Sequence, residues 1–506
     1  MMSYYYAVQR VFDWMSSKQY RFALCLFLLV FLMKLPIITM PLHWDDLDNY
    51  MAAAMHIYKH GFGSISSYGP NAGGHPPCFF VILALAWRLF GYSIWISHLV
   101  VIVIAFLGVY FTYLLGAELQ DKKTGLIGAL FLLVSPLYFA QAGTLNLDLL
   151  TAVLMTSSAY YLCKGKQIGY VFSGVCLVLT KIAGVLFIFC GILYSFLIHY
   201  RNPKVMLRKM FIHVSILIVF ALWLIYQKSK VGWIVPPAVY IVGGIDRLSF
   251  SLQESGEILV IALKSVFFDK GRFILTLIIL FSFIPVGINK FQGVSTTRRA
   301  LRDKRFLLLF LFMFFGLLFY SWFIAATRCL LPRYLIVFYP FYFVIGAACL
   351  VNLFETKKLA LAVITIAMLC FSVSNWFGRR TDAGVFLEAN LEYLSQIKTH
   401  RRACNFIEEN YPASIVLTSW PQRIELSSPW LGYVKVPIKF ICVFNAEKPQ
   451  KAAEGIKADD FDLVYYSDQS HERVKMRQFI QKFNLKLLVS YSDNGKIAEV
   501  FKVVKE

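Results

Sequence analysis

Apolar runs of about 18 to 20 residues recur between Arg21 and Phe377, separated by short polar turns. A helix of that length crosses the roughly 30 Å hydrocarbon core of a bilayer. Only helices and closed barrels satisfy their backbone there, so this part of the chain reads as a polytopic α-helical membrane protein. The pattern predicts spans over Phe22–Ile38, Ile94–Leu115, Leu126–Ala142, Asn146–Cys163, Phe211–Tyr226, Phe273–Ile288, Phe306–Phe323, Tyr334–Leu353 and Leu359–Phe377. Tyr170–Leu179 and Gly184–Ile198 read as two helices meeting near Lys181, for about eleven spans in all.

One stretch departs from this pattern. Between Pro41 and Phe90, three carboxylates (Asp45, Asp46, Asp48) follow the first apolar run, and His75-Pro76-Pro77 precedes the next. Trp44–Lys59 has the composition of a short helix that Asp45 or Asp46 can cap. Pro76–Phe90 is apolar but carries Arg88 and is too short to span, which predicts a helix along the membrane surface. Acids at a membrane edge are costly, and that marks these as functional candidates.

Composition changes the picture only slightly. The chain of 506 residues is 58% hydrophobic and 16% charged, against about a quarter charged in a soluble domain. The net charge of +21 suggests nucleic acid until its distribution is considered. The basic residues sit in short loops, above all Asn289–Arg305, which is the positive-inside pattern of a membrane protein; nucleic acid is not an expected partner. The parity of the spans then places Asp45, Asp148, Lys181, Arg333 and the C-terminal region on the outer face. The ten cysteines are scattered, mostly in apolar runs and without a CxxC, so they read as core residues and not as a disulfide frame or metal site. The first apolar run lacks a cleavage site and reads as an anchor.

From Gly378 the pattern turns to ordinary mixed polarity. Helical patterns over Phe386–Tyr411 and Arg473–Phe483 alternate with strand patterns over Ser414–Thr418, Asp462–Tyr466, Lys486–Tyr491 and Ile497–Val504. The expected organisation is a transmembrane catalytic domain over 1–377, with its first outer loop at 41–93, and a small extracytoplasmic α/β domain over 378–506. The latter has no catalytic motif and reads as a lid or acceptor-docking module.

Several motifs in order resemble one family. Trp44-Asp45-Asp46-Leu47-Asp48-Asn49-Tyr50 follows the first span, then His75-Pro76-Pro77-Cys78-Phe79-Phe80 up to Leu89-Phe90-Gly91, then Asn146-Leu147-Asp148, Leu179-Thr180-Lys181 and Pro332-Arg333-Tyr334 with Tyr339-Pro340. This order is similar to that of the GT-C membrane glycosyltransferases of the protein O-mannosyltransferase and aminoarabinose (lipid A) transferase type, over roughly residues 22 to 377. The chain departs from them in Asp46, where Glu is usual, and in His75, where the aminoarabinose enzymes carry Lys.

The resemblance implies an inverting transfer of a sugar from a polyprenyl-phosphate donor to a lipid, glycan or protein acceptor, on the outer face of what it suggests is a bacterial inner membrane. It requires neither cofactor nor metal. Asp45 is the expected general base, with Asp46 beside it as second catalytic acid or helix cap. Asp48 lies on the same helical face and is either an acceptor contact or a solvated acid. Lys181 in an apolar stretch is a donor-phosphate ligand or a lysine reaching for water. Arg333 suits bidentate phosphate recognition, Tyr334 can donate to phosphate or belong to an aromatic belt, and His75 is a phosphate contact or a loop bond. Asp148 either pairs with Lys181 or caps the fourth span, the second being favoured. Lys270 and Arg272 are further phosphate candidates. The competing reading is a transporter or flippase of a lipid-linked sugar, which predicts internal repeats and paired broken helices. No repeat is visible, and the acids cluster in a loop.

Overall fold

The computed structural model describes residues 19–44, 46–65, 75–234, 252–283, 301–327, 331–354, 357–376, 389–443, 455–469 and 473–504. Asp45 and the side chain of Asp48 lie outside the described residues.

The chain enters as α1 (Gln19–Lys34), which Pro36 converts to a 3₁₀ turn. The outer loop follows: a π turn over Asp46–Tyr50, α2 (Met51–His60) and α3 (Cys78–Phe90). The α3 helix buries Phe79, Phe80, Leu83, Ala84 and Trp87 and leaves Leu85, Leu89 and Phe90 exposed. That is the two-sided pattern expected of a surface helix.

Then come α4 (Ile94–Leu119), α5 (Lys122–Val134), α6 (Pro136–Gln141), α7 (Leu147–Cys163), α8 (Gln167–Val178), α9 (Ala183–His199) and α10 (Pro203–Val231). The predicted span Leu126–Ala142 is two helices, because Pro136 holds Ser135 extended (φ −65°, ψ 133°) and breaks the ladder. The span predicted over Phe211–Tyr226 begins earlier, at Pro203 of α10. Asn202 accepts from Val205 N (3.3 Å) and Pro203 occupies the first turn, so the helix begins there.

After α11 (Leu252–Phe267) and α12 (Phe273–Phe283) come α13 (Lys304–Thr327), a 3₁₀ segment Pro332–Phe338, α14 (Tyr339–Leu353) and α15 (Lys357–Trp376). Among the described residues, five helical segments are long and apolar enough to cross a membrane, and six shorter apolar helices accompany them. Close helix contact rests on small residues. A Cβ on Gly125 would lie 2.3 Å from Tyr113 O, and one on Gly116 2.7 Å from Gly125 Cα, so α4 and α5 meet backbone to backbone.

The C-terminal part contains α16 (Tyr393–Asn410), β1 (Val416–Thr418), α17 (Gln422–Ser427), β2 (Phe440–Cys442), β3 (Leu463–Ser467), α18 (Arg473–Ile480), β4 (Leu485–Asp493) and β5 (Lys496–Val503). The five strands run in the order β2-β1-β3-β5-β4. β1 pairs parallel with β2 and β3, and β5 pairs antiparallel with β3 and β4. β2 and α17 are additions to the predicted elements, too short to carry a periodic signal. Alternate strand residues face opposite ways. Leu417, Val464 and Tyr466 join Met476 and Phe479 of α18 in a small core of their own. Val416, Leu463 and Tyr465 join the large apolar core that runs through the helical bundle. The tail is therefore continuous with the bundle's core and does more than cover it.

Candidate active site

Asp148 opens α7 and is 2% exposed. Its Oδ1 accepts from Lys181 Nζ, and its Oδ2 lies 3.3 Å from Arg333 Nε. The favoured helix-cap reading of Asp148 is thereby corrected: Asn146 holds the N-cap position, and Asp148, two residues further on, is spent on two cations. Lys181 reaches it because the chain breaks between α8 and α9, where Thr180 and Lys181 form a turn. Arg333 reaches it from the 3₁₀ segment, where Pro332 sets the first turn. Tyr334 completes the group, with Lys181 Nζ 4.0 Å and the Arg333 guanidinium carbon 5.8 Å from its ring centroid.

The acidic loop is tied to the same place. Asp46 is buried, and its Oδ2 accepts from Leu145 N (3.0 Å), three residues before Asp148. Asp46 therefore reaches across to the turn before α7. Tyr50 packs on His75 (ring centroids 6.0 Å apart) and stacks with Phe80 at 6.3 Å. Cys78 N donates to Leu179 O (2.8 Å), which fastens the His-Pro-Pro turn to the Lys181 break. A ring of contacts thus closes from Asp46 through Leu145, Asp148, Arg333, Lys181, Leu179, Cys78 and His75 to Tyr50. Asp46, His75, Asp148, Lys181, Arg333 and Tyr334 converge, although they come from five separate parts of the sequence.

A second buried cation lies further along. Arg272 donates to Val266 O (2.9 Å) and Ser265 O, and its guanidinium stands 4.9 Å from the Tyr339 ring centroid. Its Nη1 has no hydrogen-bond acceptor among the described residues. Beside it, Lys270 donates to Ala389 O (3.0 Å), and burial with the neighbouring Arg272 charge pushes its ammonium down to about 8. Both are among the further phosphate candidates that the sequence offers.

Residues 74–226 match the family described as dolichyl-phosphate-mannose-protein mannosyltransferase. The fold is similar to that of ArnT from Cupriavidus metallidurans bound to undecaprenyl phosphate, with a TM-score of 0.61 at 12% identity, over 95% of this chain and 97% of that one. The chain has the GT-C fold, which it shares with ArnT. The apo form of the same ArnT gives a TM-score of 0.57 at 13% identity, over 94% and 97% of the two chains. No curated protein matches this sequence.

Proposed function

We propose that the protein transfers a sugar from a polyprenyl-phosphate donor to a hydroxyl of a lipid, glycan or protein acceptor, with inversion, on the outer face of the membrane. The observation that carries this reading is the pairing of Lys181 and Arg333 across one carboxylate. Two cations and one anion leave a net positive charge in a buried setting, suited to a phosphate at the membrane edge. As the acceptor oxygen attacks the anomeric carbon, the bond from that carbon to the phosphate oxygen breaks, and the lipid phosphate gains a negative charge. Lys181 and Arg333 stabilise that charge where it develops, and Arg272 Nη1 supplies a further donor. Tyr334 and His75 line the path of the sugar phosphate. The acceptor's proton passes to Asp45, with Asp46 locking the adjoining turn to Leu145.

The test is transfer of radiolabelled sugar in vesicles holding the full chain, with a panel of polyprenyl-phosphate sugars as donors, for wild type and Asp45→Asn. Transfer from one donor, with the variant folded and slower by about a thousandfold, supports the reading; that loss is ~4 kcal/mol of barrier. It exceeds the ~1 kcal/mol of a lost helix cap. An unimpaired variant overturns the base. No transfer from any donor overturns the transferase reading and makes movement of the lipid-linked sugar the next activity to measure.

A further inference from the structure

The C-terminal tail makes a set of contacts that the transfer chemistry does not by itself require. Leu42 N donates to Leu431 O (3.1 Å), and Tyr433 Oη donates to Leu42 O (2.9 Å), so both backbone groups of Leu42 are held by the tail. Gly432 lies between those two tail residues with φ +90°, and a Cβ there would lie 3.4 Å from Pro41 Cα and 2.5 Å from Ile94 Cδ1. Trp44 sits at φ +53°, a conformation disfavoured for a residue with a Cβ, and its ring meets Trp420 edge-on at 4.8 Å. His43 stacks on Tyr393 (5.9 Å, 19° between planes). Tyr393 Oη in turn donates to Ala140 O (3.3 Å), and it lies where a Cβ on Gly143 would meet it at 2.5 Å.

These contacts reach both sides of the Asp46–Leu145 hydrogen bond. On one side, the tail fixes residues 41–44, which lead into Asp46. On the other, Tyr393 fixes the turn 140–143, which leads into Leu145 and Asp148. We infer that the tail is a clamp on the active site, with Tyr433 and Tyr393 as positioning residues that set Asp46 and Asp148 against one another. This rests on the transferase reading only for its effect on rate. Both tyrosines are fully buried, and each donates to a backbone carbonyl outside the Lys181–Asp148–Arg333 group. Their effect passes through backbone placement, where a 1 Å error costs about a hundredfold in rate.

The test uses the full chain in nanodiscs, with Tyr433→Phe and Tyr393→Phe made separately. Each keeps the ring and removes one hydroxyl. Amide exchange is read first, because it needs no activity. Tyr433→Phe is expected to speed exchange at Leu42 and Leu145 by about tenfold, the worth of one buried hydrogen bond, while strand β3 is unchanged. Tyr393→Phe is expected to speed Gly143 and Leu145 and to leave Leu42 alone. In the transfer assay, both are expected to lower kcat by about tenfold or more with donor KM within about twofold, the mark of lost alignment and not of lost binding. Unchanged exchange at these amides overturns the clamp, as does exchange raised equally in β3, which makes the hydroxyls ordinary parts of the tail's core. Faster local exchange with unchanged kcat overturns the positioning role. If wild type transfers from no donor, the transferase reading fails, and the exchange result still decides the clamp.

Discussion

At the scale of single residues, Asp148 holds the most. It neutralises one of two cations that would otherwise face each other in a buried site. Removing one member of a buried ion pair leaves uncompensated charge, so Asp148→Asn is expected to cost about 3 kcal/mol of stability. Thermal unfolding in detergent checks this, and an unshifted midpoint would show that the cations find other compensation. His43 gives a pH signature. Burial, together with the nearby His400, pushes its imidazole from 6.5 to about 3. Below 6.5 the unfolded chain takes a proton that the folded chain refuses until about 3, so this stabilisation is complete above 6.5 and is lost as pH falls through that window. His43→Phe, which keeps a flat ring on Tyr393, is expected to lose less stability than wild type between pH 7 and roughly pH 4.5. Equal losses in the two proteins would remove His43 from the account.

At the scale of elements, breaks matter more than helices. The turn at Lys181 follows the end of α8, and the 3₁₀ entry to α14 begins at Pro332, and each sets a cation of the site. Regular helices supply the rigid surroundings, and α4 meets α5 backbone to backbone at Gly116 and Gly125. Gly125→Ala would set a methyl 2.3 Å from Tyr113 O, against backbone that cannot rotate away. The two helices must separate, at a cost of about 1–3 kcal/mol. A lowered unfolding temperature for Gly125→Ala, with Gly63→Ala unshifted because nothing lies within 4 Å of its Cβ position, is the expected pair of results.

At the scale of the whole molecule, the tail and the first outer loop are on one side, because Tyr433 and Leu431 hold Leu42. The Lys164–Lys166 turn lies at the other end of α7 from Asp148. An impermeant thiol reagent applied to right-side-out vesicles is therefore expected to label Val436→Cys at once, and Lys166→Cys only after permeabilisation. Val436 is 64% exposed, so access does not confuse the result. Labelling of both from one side would break the assignment of faces.

Much was legible in the sequence because it is one-dimensional physics. Apolar run length marked a mostly helical membrane chain, and short runs rich in β-branched and aromatic residues marked β3, β4 and β5. Charge in an apolar setting marked Asp46, Lys181 and Arg333, and proline marked the turns at His75 and Arg333. Tertiary structure alone decided which charges meet. Asp148 looked like a helix cap because capping is local, whereas its partners are 33 and 185 residues away. Tyr433 and Tyr393 carried no signal, since a tyrosine in a mixed-polarity segment looks the same whether it faces water or a backbone carbonyl hundreds of residues earlier. Local pattern is written in neighbouring residues, but the closing of the site depends on distances that only the folded chain makes short.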